Sequence, residues 1–445
     1  VQISAGKKNS NVENMTMRIL KTNDKAFLRV FKGILARGSA AAGEVEAAVR
    51  SILREVKTGG DAALIRFSEK YDNNKITVKN LRIAERDIKK SPHKIPAADL
   101  SSLTRACGRI EAFHRRQLQQ SWISADTPGE IVGQLVRPLQ RVGIYVPGGK
   151  AVYPSSVLMN AIPARVAGVA EIIMVTPGSK KGVNPVLLAA ADLCGISSVF
   201  QIGGAQAIAA LAYGTASVPK VDKIVGPGNI YVATAKRLVY GDVDIDMIAG
   251  PSEILIISDG SGSPAYAAAD MLSQAEHDEM ACSILATPDE GFARRVAGEL
   301  AAQLKKLKRK TIAARALENH GAIIITGNLA EAVQLANDVA PEHLELAVDK
   351  PWDLLALIKN AGAVFLGHYS PEALGDYLAG PNHVLPTGGT ARFFSPLSVD
   401  DFLKKTSLIS FNREALQAVG RDVIRIADAE QLDAHAGSVK VRLKK

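Results

Sequence analysis

Four short runs rich in β-branched residues, VGIYVPGG (142–149), EIIMVTPG (171–178), SVFQIGG (198–204) and DKIVGPG (222–228), each end in glycine and each lead into a helical stretch. The texture returns after Gly250 with EILIISDG, SILATPDE, AIIITG and AVFLG, again separated by helical patterns. Strand–glycine–helix units at this spacing describe parallel sheets with crossover helices, because parallel neighbours need a long return connection. The predicted class is α/β, with two tandem Rossmann-like domains. Ligands of such sheets sit at the carboxyl ends of strands, where loops meet helix amino termini. The dinucleotide fingerprint G-x-G-x-x-G follows none of the runs. Gly148-Gly149, Gly203-Gly204 and Gly226-Pro227-Gly228-Asn229 either admit a ligand backbone closely or are ordinary tight turns.

At 445 residues the chain exceeds one ordinary core, and the pattern divides it. Residues 1–16 are polar and non-periodic and read as a disordered or appended leader. A mostly helical region spans 17–122. Within it Val45, Val49, Ile52 and Val56 recur at helical spacing, Gly59-Gly60 interrupts, and a later helix runs from 96 to about 122. The first Rossmann-like domain is placed at 123–250, the second at 251–394, and a small carboxyl-terminal tail domain at 395–445. No apolar stretch reaches the roughly 18 residues of a membrane span, and a cytoplasmic location is expected. Cys107, Cys194 and Cys282 are too few for a disulfide framework and read as buried thiols. The formal charge of +9 has its densest run at Lys305–Lys310, a solvated helix end without a nucleic-acid module around it.

Four segments carry chemistry-bearing residues. In 263–281, SPAYAAADMLSQAEHDEMA, Ser263-Pro264 predicts a helix start and the alanine-rich run carries it to about His277. Gln274 and His277 then share a face, as metal ligands or as a helix-end cap. After Pro341, the alternation of Leu344, Leu346 and Val348 predicts a half-buried strand. Glu342 and His343 serve one site only from the turn before that strand settles. Residues 375–395 read as a Gly/Pro-rich loop holding Asp376 and His383. The tail has a helical segment at 412–419, with Glu430 and His435 beyond it.

Taken in order, AGPSEILI, GPGNIYV, SQAEHD, PEHLEL, GDYLAGPNHVLPT and EQLDAH resemble the histidinol dehydrogenase family, and the resemblance runs from Met17 to the carboxyl terminus. It implies oxidation of L-histidinol to L-histidine through L-histidinaldehyde, with two NAD reduced and one Zn2+ per subunit. The fold it implies is a pair of incomplete, duplicated Rossmann domains. Gln274, His277, Asp376 and His435 would hold zinc, a mixed N/O set suited to that ion. Glu342 and His343 match the acid–base pair, with His343 taking the alcohol proton and Glu342 activating water.

The same resemblance assigns substrate contacts to Ser252, His383 and Glu430, beside Gln274, His277, His343, Asp376 and His435. NAD contacts fall to Tyr145, Gln206 and Asn229. It also implies a homodimer in which the tail completes the partner's site, with neither nucleic acid nor membrane as a partner. Two rivals stay open: a paralogous dehydrogenase of another small alcohol, such as a sulfonated diol, and a zinc hydrolase.

Overall fold

A computed structural model describes residues 17–36, 42–72, 74–148, 152–179 and 182–444, so the leader expected at 1–16 lies outside the described residues. The chain opens with β1 (Ile19–Lys21) and the helix Phe27–Leu35. The long helix Ala42–Asp72 follows, broken in its middle where Gly60 takes φ 51° and ψ −134°. That is the interruption expected at Gly59-Gly60, since few other residues tolerate such a backbone. The helix Ala97–His114 stops well short of residue 122. Instead β2 (Trp122–Ser124) pairs antiparallel with β3 (Glu130–Pro138). Helical periodicity could not foresee this, because the ladder partner lies downstream.

The first parallel sheet contains β4 (Arg141–Tyr145), β5 (Glu171–Val175), β6 (Ser198–Phe200), β7 (Lys223–Val225) and β8 (Asp244–Ile245), in the order β6-β5-β4-β7-β8. The second contains β9 (Glu253–Ser258), β10 (Cys282–Thr287), β11 (Ala322–Ile325), β12 (His343–Ala347) and β13 (Ala363–Leu366), with β1 added beside β11. Its order, β1-β11-β10-β9-β12-β13, repeats the first sheet's winding with one extra edge strand. Both are α/β sheets as the sequence predicts, and every pairing within them is parallel.

Each sheet buries both faces, which explains why its strands read as continuous apolar runs rather than alternations. Val45, Val49, Ile52 and Val56 join the first sheet's core through helix Ala42–Asp72, and Cys107 and Ile110 reach its other face. Burying each such valine or isoleucine stabilises by roughly 1.5–3 kcal/mol. The three cysteines are all buried and unbridged. Cys282 donates to the His320 carbonyl at 3.0 Å, a packing role.

The tail departs from its predicted outline in two ways. β14 (Leu403–Phe411) crosses back to pair antiparallel along the whole of β3. Beyond it the helix Arg413–Ala429 runs ten residues past the predicted end at 419, and Asp433–Leu443 packs against it. Among the described residues no helix is long and apolar enough to cross a membrane.

Candidate active site

The helix Pro264–Ala275 follows β9 and runs back along the sheet, so its carboxyl end lies near the amino ends of the strands. Proline opens it as expected, but the Ser263 hydroxyl makes no cap bond. The helix closes at Ala275 rather than His277. Gln274 is therefore in its last turn and fully buried, while His277 sits in the following turn, its N–H donating to the Gln274 carbonyl at 3.2 Å.

His343 is the first residue of β12 and Glu342 immediately precedes it, so the pair stands where turn becomes strand. Strand β12 is buried on both faces rather than half-buried. The face bearing His343 and Glu345 meets the site's own polar groups instead of water.

The short helix Glu372–Tyr377 supplies the next groups. Asp376 thus lies in a helical turn and not in the loop expected from 375. Glu372 stands one turn earlier, and i,i+4 spacing sets both carboxylates on one side. Donor atoms of His277, Glu372 and Asp376 all lie within 4.8 Å of one another. His383 donates from Nδ1 to the Asp376 carbonyl at 3.0 Å, which leaves its Nε2 as the acceptor.

The His343 ring is fixed in the same manner. Its Nδ1–H donates to the Glu253 carbonyl at 3.2 Å, so the lone pair of the neutral ring is on Nε2. That nitrogen is buried without a hydrogen-bond partner, 4.0 Å from Asp376 Oδ1. Burial pulls His343 down to about 4, against the opposing pull of Asp376. The ring is neutral at physiological pH, and lower than the near-neutral poise expected from residue type. His383 is lowered too, again chiefly by burial.

Buried carboxyl groups crowd this corner. Burial raises Glu372 well above the ordinary range, and the charges of Asp376, Glu342 and Glu345 push it the same way. Glu345 is raised by burial and by Asp270, with which it shares a hydrogen bond, and Asp270 is itself pushed up to about 6. The ion pairs described for Glu372 and Asp376 are with histidines alone. Imidazole and carboxylate donors converging in a dry corner fit a divalent cation of the zinc type.

Not every residue singled out in the sequence joins this cluster. Ser252 is half-buried just before β9, its carbonyl accepting from Cys282 N–H at 3.0 Å. Glu430 and His435 are exposed on the tail, and His435 is absent from the one donor group found among the described residues.

Tyr145, Gln206 and Asn229 lie elsewhere, at the carboxyl edge of the first sheet. Tyr145 ends β4, and its hydroxyl accepts from Gly204 N–H at 3.1 Å. Gln206 Nε2 and Gly203 N–H both donate to Asp72 Oδ2, each at 3.3 Å. Gly226 has φ +109°, and a Cβ there would fall 2.3 Å from the Tyr145 carbonyl oxygen, so glycine is obligatory. A buried ion pair holds that turn: Asp246 Oδ2 accepts from Gly226 N–H at 2.7 Å and Lys236 Nζ donates to Gly226 O at 2.9 Å. Asn229, exposed, caps the next helix by accepting from Tyr231 and Val232 N–H.

A family profile described as histidinol dehydrogenase matches residues 35–443. Histidinol dehydrogenase of Geobacter metallireducens is 56% identical over 429 residues, covering 96% of this chain and 98% of that protein. The Geobacter sulfurreducens enzyme is also 56% identical, over 96% of this chain and 100% of its own length. This chain belongs to the histidinol dehydrogenase family. The crystal structure of histidinol dehydrogenase from Elizabethkingia anophelis superposes with a TM-score of 0.90 at 37% identity, covering 96% of this chain and 98% of that one. As a histidinol dehydrogenase family member the chain is an oxidoreductase.

Sequence reasoning passed over Glu253, Glu372, Asp72 and the pair Lys236–Asp246. Only Glu372 had a signal, since Pro371 marks a helix start and Asp376 follows it by four.

Proposed function

We propose that this chain oxidises L-histidinol to L-histidine by way of L-histidinaldehyde, reducing two NAD in turn. The observation that carries the reading is the buried, unpartnered Nε2 of His343 beside His277, Asp376 and His383. A neutral imidazole with its lone pair held in a dry site is ready to take one proton, and an alcohol giving up hydride releases one. Zinc, when bound, would supply a Lewis-acidic centre for the substrate's imidazole and amine nitrogens. Gln274, His277 and Asp376 would hold it, with His435 arriving from the tail of a second subunit.

In the first oxidation His343 Nε2 accepts the hydroxyl proton as hydride leaves the carbinol carbon for NAD, giving the aldehyde. The second oxidation begins with water adding to the aldehyde. Glu342, whose carboxylate is 3.7 Å from His343 Nδ1, accepts the water proton. Hydride then leaves the hydrated carbon for the second NAD, the remaining hydroxyl proton is given up to solvent, and the product is the carboxylate. Ser252, His383 and Glu430 bind the substrate. Tyr145, Gln206 and Asn229 receive the dinucleotide at the first sheet's carboxyl edge, whose turns are held by Asp72 and Asp246.

The test is NADH absorbance with L-histidinol and NAD, before and after chelation and zinc restoration. Two NADH per histidine formed, lost on chelation and recovered with zinc, is the expected result. Reduction of NAD by another alcohol in preference to histidinol, or hydrolysis without NAD, defeats the proposal.

A further inference from the structure

Glu372 is picked out by none of the sequence motifs, yet it meets Ser273, Gln274 and His343 and lies within 4.8 Å of the donor atoms of His277 and Asp376. Its carboxylate is 2% exposed. Oε2 accepts from the Ser273 hydroxyl at 3.3 Å, and Oε1 lies 3.7 Å from His343 Nδ1. The Gln274 amide satisfies its surroundings in a single orientation. Its nitrogen then donates to Glu372 Oε2 at 2.8 Å and to Oε1, and its oxygen accepts from Glu253 N–H at 2.8 Å. Glu372 is itself held in register, since its backbone N–H donates to Glu345 Oε1 at 2.8 Å.

An amide has two unlike ends. Its carbonyl oxygen ligates a divalent cation, while its NH2 group has no lone pair to offer. The terminal torsion of glutamine is a broad two-fold rotor, so helix geometry does not decide which end faces the ion. We propose that Glu372 is the positioning residue that decides it. By drawing the Gln274 nitrogen to itself, Glu372 turns the carbonyl oxygen the other way. Glu253 N–H, shared with Glu342 Oε2 at 2.9 Å, meets one lone pair of that oxygen, and the second is left for the cation. A glutamine thereby becomes a dependable ligand, and the carboxylate acts as an outer-shell partner that orients it.

The inference rests on the metal reading given above, and a double-mutant cycle separates the two. Zinc affinity is measured by competition with a chromophoric chelator for the full-length native protein, Glu372→Ala, Gln274→Glu, and the double variant. Thermal unfolding of each metal-free protein is followed alongside. In the native background Glu372→Ala weakens zinc binding by about 10–100-fold. In the Gln274→Glu background the same change costs less than about threefold, because a carboxylate presents oxygen whichever way it turns. An equal loss in both backgrounds overturns the inference, since it assigns Glu372 to charge or direct ligation. Undiminished affinity in Glu372→Ala overturns it as well. A native protein that takes up no zinc removes the metal reading itself, and this inference with it. The isosteric Glu372→Gln, run in both backgrounds, covers an alanine variant that does not fold.

Discussion

The two parallel sheets share one winding but carry their candidate site residues at opposite edges. In the first sheet Tyr145, Gly203, Gly204 and Gly226 gather at the carboxyl edge, on both sides of the point where strand order reverses between β4 and β7. That is where an open α/β sheet ordinarily takes a ligand. In the second sheet the reversal falls between β9 and β12, but Glu253 and His343 stand at the amino ends of those strands. At its carboxyl edge is a small pocket lined by Ser258, Ala347 and Gly367. The proposed dinucleotide edge of the first sheet follows the general rule, and the candidate metal corner of the second departs from it.

The charges differ as well. At the first edge the buried Lys236–Asp246 pair neutralises itself while clamping Gly226. At the second, buried carboxylates accumulate around His343. A corner that packs carboxyl and imidazole donors together offers the ligand set of a divalent cation.

Substituting the two edges should separate chemistry from binding. The largest effect is expected from His343→Ala, which removes the Nε2 acceptor: kcat should fall by about 10²–10⁴-fold with little change in KM for NAD. Steady-state NADH formation checks this, and a near-normal kcat would take the chemistry away from the second corner.

Next comes the clamp of the first edge. Lys236→Met leaves Asp246 buried without its partner, at a cost of about 3–5 kcal/mol. Urea unfolding should register that loss, and KM for NAD should rise while kcat at saturation stays close to native. If kcat falls instead, the first edge is more than a binding surface.

Mixed subunits probe the corner's completeness. Asp376→Ala and His435→Ala proteins, each inactive alone, should regain up to about a quarter of native activity when their subunits exchange, because random pairing makes half the dimers mixed and each then has one intact site. No rescue after proven exchange would place His435 in its own subunit's site or outside both.

The smallest effect concerns Asp72, which burial raises from 3.8 to about 6 against the bonds from Gly203 and Gln206. A carboxyl whose folded value lies above its unfolded one costs stability at high pH. That cost grows as pH rises from about 4 to about 6 and vanishes below. Asp72→Asn should therefore stabilise by about 1–3 kcal/mol above pH 6, and the gain should disappear near pH 4. Thermal unfolding across that range tests the sign.

Much of the fold was legible because it is written in local periodicity. The eight apolar runs correspond to β4, β5, β6, β7, β9, β10, β11 and β13, and Gly60 breaks its helix where the pattern does. β1, β2, β3 and β14 were not foreseen. β1 and β14 take partners far along the chain, β14 lying some 270 residues from β3, while β2 is only three residues long and pairs with the nearby β3. Glu342, His343, Gln274, His277, Asp376 and His383 were named from sequence. Their assembly was not, since strand spacing says nothing about which end of a sheet a returning helix meets.

The sequence by itself determined the α/β class with parallel sheets, the positions of eight of their strands and the family, because these follow from short-range pattern and residue chemistry. Tertiary structure alone decided that the candidate metal corner lies at the amino edge of the second sheet. It also left Nε2 as the lone-pair nitrogen of His343, and set Glu372 against Gln274. These outcomes depend on burial and on hydrogen bonds between residues about ninety to one hundred apart. Such contacts exist only once the chain has packed, and no local signal records them.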